Sequence, residues 1–302
     1  MVSIKNVLVI TNPAAGHHNP SSIARFVRHL RHAGLHPTVV PTRYRGHATI
    51  LARDAAAGGC YSHIVAAGGD GTIAEVAAGL AGTSAILGIL PLGSANVLAH
   101  ELRIPFDPAR NAELIRGGHA ATLWPGTLHT PAGSHLFVQM ASIGFDAHIV
   151  HTTSTRLKAR IGRAAYAVST LSSLARYRLT AFTVMIDDVP YRATTVIVSK
   201  GSLYAGKYRL TRHSAHQHNR FSVILFDMSD RMTLARTILS LFLGRIERQK
   251  GTRTVTATTV HVPAAALPIQ SDGDAKGSSP VHLALSPSPL RVAMPPLTAR
   301  AG

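Results

Sequence analysis

Ile64-Val65-Ala66-Ala67-Gly68-Gly69-Asp70-Gly71-Thr72 is the stretch whose reading decides the fold. A short apolar run, Ile64 to Ala67, reads as a buried strand, and Thr72 to Leu80 reads as the helix that follows it. The glycines between them permit tight turning and let a ligand approach the backbone closely. The start of the helix offers unpaired N–H groups and the positive end of its dipole, a setting that suits phosphate. Thr72 can cap the helix. Asp70 is then a carboxylate held beside bound phosphates, positioned to hold Mg²⁺ directly or through water. Taken alone, the same stretch also reads as a glycine-rich turn with Asp70 an ordinary turn residue.

Working outward, the first ~120 residues repeat the strand-helix alternation. Val7–Ile10, Thr38–Val40 and Ile86–Leu90 read as strands. Residues 47–57 read as a helix. Another helix carries Ile23, Phe26, Val27 and Leu30 on one face, with Ser21 or Ser22 as its cap and Gly34 closing it. Short apolar strands separated by helices predict a parallel sheet covered on both faces. Asn12-Pro13-Ala14-Ala15-Gly16 ends the first strand and Pro91-Leu92-Gly93-Ser94-Ala95-Asn96 ends the fourth. Strand C-termini of a parallel sheet share one edge, where ligands bind, so three small-residue loops converge on one candidate phosphate pocket.

After Gly118 the pattern changes. Leu136–Ile143 reads as a strand, 147–177 as a long helix, and Phe182–Ile186, Ala193–Val198, Phe221–Phe226, 254–262, 281–286 and 290–294 as strands. Asp187-Asp188-Val189-Pro190 reads as a hairpin turn. The expectation is an α/β nucleotide-binding domain over 1–122, to which the strand near 290–294 can return, followed by a β-rich domain over 123–295.

Composition narrows the classes. With 46% apolar residues the chain is globular, and with only 5% aromatic residues it has little with which to stack exposed bases. Nucleic acid is therefore not an expected partner. The net charge of +17 attracts polyanions, anionic membrane surfaces and nucleotide phosphates among them. A single cysteine, Cys60, excludes a disulfide within the chain. The N-terminus reads as a first strand rather than a signal peptide, and no apolar stretch approaches the ~20 residues of a spanning helix. Cytoplasmic location with peripheral membrane contact is expected, and a homodimer is compatible with the sequence.

Asn-Pro-x-x-Gly at 12–16, Gly-Gly-Asp-Gly-Thr at 68–72 and Pro-Leu-Gly-Ser-x-Asn at 91–96 together resemble the catalytic domain of the diacylglycerol kinase family, which includes bacterial soluble lipid kinases and the sphingosine and ceramide kinases. The resemblance continues through Ser142-Ile143-Gly144-Phe145-Asp146-Ala147, through Lys158, Gly162, Ala165 and Tyr166, and into Gln270-Ser271-Asp272-Gly273-Asp274. It implies a Rossmann-like kinase domain, a β-sandwich second domain and an ATP-dependent lipid kinase using Mg²⁺, with diacylglycerol as the default acceptor. Other readings are another lipid (a long-chain base, ceramide or phosphatidylglycerol), a soluble substrate such as NAD, and an inactive basic protein that binds membrane or nucleic acid. Carried over residue by residue, ATP is implied at Asn12, Pro13, Ala14, Ala15, Gly16, Thr42, Gly68, Gly69, Asp70, Gly71, Thr72, Ser94 and Asn96. Metal is implied at Asp70 and Asp146. The family's base is a Glu in the late motif; here the candidates are Asp274 and Asp272, with Asp70 the further catalytic carboxylate. Arg43, Arg45 and Lys158 are candidate phosphate-facing cations.

Departures from the family pattern are Val97, where many members have Asp, Ala74, where many have Asn, and Asp274, one methylene short of Glu. The loop Arg212–Asn219 holds His213, His216 and His218 but no carboxylate, so a structural Mg²⁺ is not expected there. The histidines are a candidate Zn²⁺ or Ni²⁺ site or a plain polar loop. Gly201–Tyr208 nearly matches a P-loop, but Tyr208 stands where Ser or Thr is needed, and the segment reads as a loop between strands. Arg231–Leu243 reads as a helix apolar and basic enough to contact an anionic membrane, or else to pack on the β-rich domain.

Overall fold

The computed structural model describes residues 6–14, 19–153, 173–174, 177–212, 216–263 and 266–296. The chain divides into two units, Met1–Leu123 with Ser288–Gly302, and Trp124–Pro287.

Unit 1 contains β1 (Asn6–Thr11), α1 (Pro20–His32), β2 (His36–Pro41), α2 (His47–Ala57), β3 (His63–Gly68), α3 (Asp70–Leu80), β4 (Ile86–Pro91), α4 (Val97–Glu101), α5 (Pro108–Gly117), β5 (Ala120–Leu123) and, from the far end of the chain, β20 (Leu290–Ala293). They form a six-stranded sheet in the order β2-β1-β3-β4-β20-β5. β1 to β4 and β20 run parallel, and β5 is antiparallel to β20. The β-rich unit therefore closes at Pro287 rather than at 295, and β20 covers the edge of β4 that would otherwise stand open. β3 and β4 are buried throughout because helices cover both faces of a parallel sheet.

Two helix starts differ from expectation. α1 begins at Pro20, capped by Asn19 rather than Ser21 or Ser22, because proline fits the first helical position and the Asn19 side chain accepts from both serine amides. α3 begins at Asp70 with Gly69 as its cap residue, so Thr72 lies inside the helix and does not cap it. Gly34 does follow α1 with a φ of 76°, as a closing glycine should. α5 went unread, although Asp107 caps it and Pro108 opens it.

Unit 2 is an antiparallel β-sandwich. One sheet runs β10 (Val189–Ala193), β9 (Phe182–Ile186), β16 (Thr259–Val262), β19 (Val281–Leu285), β6 (Gly126–Thr130), β7 (Gly133–Phe137); the other runs β15 (Thr252–Ala257), β14 (Phe221–Phe226), β11 (Thr195–Ser199), β8 (Met140–Gly144), β17 (Pro268–Ser271), β18 (Asp274–Ser278). Leu128, Val184, Val260 and Leu283 of the first sheet meet Ile143, Val196, Val223 and Ile269 of the second in one core. The second sheet's other face packs Met140, Ile197, Ile224 and Phe226 against Ile149 of α6 (Phe145–Thr152) and Leu234 of α7 (Arg231–Phe242). Strands buried on both faces lose the alternating pattern, which is why β11 carries the unbroken apolar run Val196 to Val198 and β14 the run Val223 to Phe226.

Three predicted single strands are each two strands on different sheets. Leu136–Ile143 breaks at Val138-Gln139, where the Asp272 carboxylate accepts the amides of Val138, Gln139 and Met140 at 2.8, 2.9 and 3.0 Å. The stretch 254–262 breaks at Thr258, where Asp187 accepts the amides of Thr258 and Thr259 at 3.0 and 2.8 Å. Ala193–Val198 breaks at Thr194, whose hydroxyl donates to the Phe226 carbonyl and accepts from the Met228 amide. In each case a side chain takes over backbone groups that the sheet has released. The turn between β9 and β10 is confined to Asp187 and Asp188, both at positive φ, while Val189 and Pro190 already belong to the strand. Gly201–Tyr208 holds a small hairpin, β12 (Leu203–Tyr204) with β13 (Tyr208–Arg209), so a strand stands where a P-loop requires the start of a helix. Of the helix expected over 147–177, residues 145–152 form α6, and most of the remainder lies outside the described residues.

Lys200, directly after β11, is fully buried. Its Nζ donates to the carbonyls of His218 at 2.7 Å and Arg220 at 2.8 Å and lies 5.6 Å from the centre of the Phe221 ring. Burial pulls its pKa from 10.5 to about 7. Lys200→Met leaves two carbonyls without this donor and is expected to cost about 2–4 kcal/mol in urea unfolding. Between about 7 and 10.5 the unfolded chain binds more protons, so wild-type stability should rise with pH across that interval and the variant should lack the rise.

Candidate functional site

In unit 1 the strand order reverses between β1 and β3, because β2 lies on one side of β1 while β3 and β4 lie on the other. The C-terminal ends of such neighbouring strands open a crevice for ligands. At that point the Asn12 side chain donates to the Thr72 hydroxyl at 3.1 Å and accepts from the Ala14 amide at 2.9 Å. Pro13 and Ala14 form the exposed turn beyond it, and Ala15 and Gly16 lie outside the described residues. Thr42, at the end of β2, joins the same sheet edge by donating its amide to the Thr11 carbonyl at 2.8 Å. Arg43 and Arg45 are exposed in the loop that follows, and Glu75 of α3 holds that loop by accepting the amides of Gly46 and Ala48. Lys158 lies outside the described residues.

The glycines of 68–71 are not equivalent. A Cβ on Gly68 would lie 2.5 Å from the Thr72 hydroxyl, and one on Gly93 would lie 2.4 Å from the Gly69 Cα. The loops after β3 and β4 thus touch backbone to backbone. Asn96, buried and at a φ of 47°, fixes the second loop by accepting the Gly93 amide at 2.8 Å and donating to the Gly93 carbonyl at 2.7 Å. Its side chain is thereby committed to the loop itself, and Ser94 sits partly buried within that loop. A Cβ on Gly71, by contrast, would meet nothing within 4 Å. The fold makes no demand for glycine there, and the open space lies on the first turn of α3, which has no side-chain cap. That combination fits a phosphate group.

Asp70 stands in the same turn. Burial raises its pKa, opposed by the Val97 amide, which donates to its Oδ1 at 2.7 Å. The departure at Val97 therefore leaves a role for the backbone of that position. Asp70 is the one candidate metal carboxylate in unit 1, and a single carboxylate suits Mg²⁺ that arrives with nucleotide phosphates. Among the described residues no cluster of three or more His, Cys, Asp or Glu side chains forms a ready-made metal cage.

Asp146, Asp272 and Asp274 belong to unit 2. Asp146 is buried at the start of α6, and its carboxylate accepts from the hydroxyls of Ser142 and Tyr204 and from the Gln270 amide at 3.1 Å. Three side-chain donors already occupy the Asp146 acceptors, so a metal there would have to displace them. Asp272 holds the amides of residues 138–140, which commits it to the backbone. With Gly273, also at positive φ, it forms the tight turn that delivers Asp274, partly buried, at the start of β18. Gln270 braces the turn by accepting the Gly273 amide at 3.0 Å. Of the loop histidines, His216 is buried and bonded to the Val138 carbonyl at 2.9 Å, and His213 lies outside the described residues. Tyr204 and Gln270 escaped the sequence reading as partners of Asp146; a polar Gln in an apolar strand was the available signal for the second.

Residues 6–127 match the family described as the diacylglycerol kinase catalytic domain, and residues 139–294 match the YegS C-terminal NAD kinase beta sandwich-like domain. The chain belongs to this family of lipid kinases. Along its length it is 26% identical over 298 residues to a protein of Mycobacterium tuberculosis H37Rv named diacylglycerol kinase, covering 97% of this chain and 96% of that one. A Pseudomonas putida protein named "Probable lipid kinase YegS-like" is 42% identical over 146 residues, 47% of each chain. The fold is that of a Bacillus anthracis crystal structure titled as a diacylglycerol kinase, with a TM-score of 0.77 at 21% identity over 98% of this chain and 99% of that one. The kinase is thus an enzyme whose family uses ATP, and its expected α/β and β-sandwich architecture holds.

The glycine geometry yields a paired expectation. Gly93→Ala, which must push the Gly69 backbone away, should destabilise the kinase by about 1–3 kcal/mol. Gly71→Ala should be neutral or stabilising by up to about 1 kcal/mol, since alanine suits a helix better. Urea unfolding of both variants reads the difference.

Proposed function

We propose that this kinase transfers the γ-phosphate of ATP to the free hydroxyl of diacylglycerol. The observation that carries the reading is the open space at Gly71 beside the partly buried Asp70, on an uncapped helix start at the sheet's switch point. The named diacylglycerol kinase relative, aligned along nearly the whole chain, supports the choice of acceptor.

In this reading the loops 12–14, 68–72 and 93–96 cradle the nucleotide phosphates with backbone amides, and Asn12 and Asn96 hold those loops in shape. Mg²⁺, when bound with ATP, would neutralise charge on the phosphate oxygens, and Asp70 would hold it, directly or through water. Asp274 accepts the proton of the lipid hydroxyl as that oxygen bonds to the γ-phosphorus and the bond to the β–γ bridging oxygen breaks, releasing ADP. Asp272, whose oxygens are engaged with three amides, positions that base and does not take the proton. Asp146, with Ser142, Tyr204 and Gln270, stiffens the strand pair β8–β17 from which the turn projects.

The test is transfer from γ-labelled ATP to diacylglycerol in mixed micelles. Asp274→Asn should lower kcat by ~10²–10⁴-fold, and Asp274→Glu should retain activity. Asp70→Asn should lose transfer to a similar extent while the apo variant becomes more stable at neutral pH, because burial disfavours the charge it removes. The folded pKa of Asp70 lies above its unfolded 3.8, so this advantage should shrink as pH falls through the folded value. Gly71→Ala should fold normally yet bind ATP poorly. An active Asp274→Asn variant would remove Asp274 as the base, and wild-type protein that phosphorylates no lipid would overturn the function.

A further inference from the structure

We propose that the outer face of α7, with the arginine-lined groove at its C-terminal end, is the surface by which this kinase docks on anionic lipid bilayers. The inference rests on the lipid-kinase reading but not on which lipid is phosphorylated.

α7 is apolar on more than one side. Toward the sheet it packs Leu234, Ile238 and Leu241 and buries Thr237 and Ser240, whose hydroxyls donate back to the helix carbonyls of Thr233 and Thr237. Toward solvent it presents Met232, Leu239, Phe242 and the following Leu243 at 61%, 57%, 52% and 60% exposure. Met232, Arg236, Leu239 and Leu243 recur at spacings of four, three and four, so they form one stripe. Tyr208 of the β12–β13 hairpin packs edge-on against Phe242, with ring centres 4.8 Å apart, and widens the patch. A helix that already packs one apolar face on the sheet and still leaves Met232, Leu239, Phe242 and Leu243 outside presents a surface shaped for a partner.

The charge around the stripe identifies that partner. A groove of about 270 Å³ at the end of α7 is lined by Arg209, Arg212, Arg245 and Arg248 together with Leu243 and Glu247. Glu247 is taken by Arg212 at 3.1 Å. Among the described residues the exposed Arg209, Arg245 and Arg248 form no ion pair, and Lys250 is exposed beside them. Apolar side chains ringed by cations fit acyl chains beneath phosphate headgroups. A second copy fits poorly, because a two-fold contact through this face would oppose its own cations.

Co-sedimentation of the full chain with phosphatidylcholine vesicles, with and without an equal share of phosphatidylglycerol, tests the surface. Wild type should bind the anionic vesicles at least ~10-fold more tightly than the neutral ones, and added salt should reverse it. Met232→Asp with Leu239→Asp should cut that binding by ~10-fold or more with an unchanged melting temperature, since both positions are exposed. Arg245→Glu with Arg248→Glu should remove the preference for anionic lipid. Binding that depends on these residues supports the surface even where no lipid is phosphorylated. Wild-type protein that stays in solution, variants that bind as well as wild type, or a dimer in light scattering that buries the stripe would each overturn it.

Discussion

A backbone amide that leaves a strand, or begins a helix, without a carbonyl opposite it needs another acceptor, and in this chain carboxylates supply it. Asp272 takes three amides where the chain passes from one sheet of the sandwich to the other. Asp187 does the same at the passage back. Asp70 takes the first amide of α4, and Glu75 takes two at the start of α2. In a chain with only 14 acidic residues against 31 Lys and Arg, committing these to the backbone, as Asp107 and Asp230 are committed at helix starts, indicates where the fold would otherwise leave polar groups unsatisfied.

The carboxylates nonetheless differ in what surrounds them. Asp272 and Asp274 stand two residues apart in one motif, yet the first is engaged with three amides and the second opens a strand beyond the turn. Asp146 is likewise surrounded by Ser142, Tyr204 and Gln270. Asp70 differs from both, with Oδ1 on the Val97 amide and a pKa raised by burial. A carboxylate held at a cost to its charged state is what the proposed phosphate-binding role would call for.

The glycines divide in a similar way. Gly68 and Gly93 are required by their neighbours, Thr72 and the Gly69 backbone, whereas Gly71 has empty space around its Cα. Lys200 shows the opposite economy, a buried cation whose ammonium meets loop carbonyls of His218 and Arg220. Its place among apolar β residues gave no hint of that role in the sequence.

The sequence by itself determined the parallel sheet of unit 1, the three loops at its edge and the family, because short apolar strands, glycine turns and helix periodicity are local signals with fixed spacing. It also identified the turn that carries Asp272 and Asp274. What only the tertiary structure decided was long-range. The stretches 136–143 and 254–262, each read as one strand, split between two sheets, since alternation records burial but not the sheet to which a strand belongs. The return of β20 to the first unit, which the sequence reading allowed, was decided by pairing across more than half the chain. Asp272 became a staple and Tyr204 a partner of Asp146 through contacts between residues far apart in sequence, which no pattern along the chain encodes. For α7 the sequence left membrane contact and packing on the β-rich domain both open, because periodicity shows that a helix has an apolar side but not which side the sheet covers.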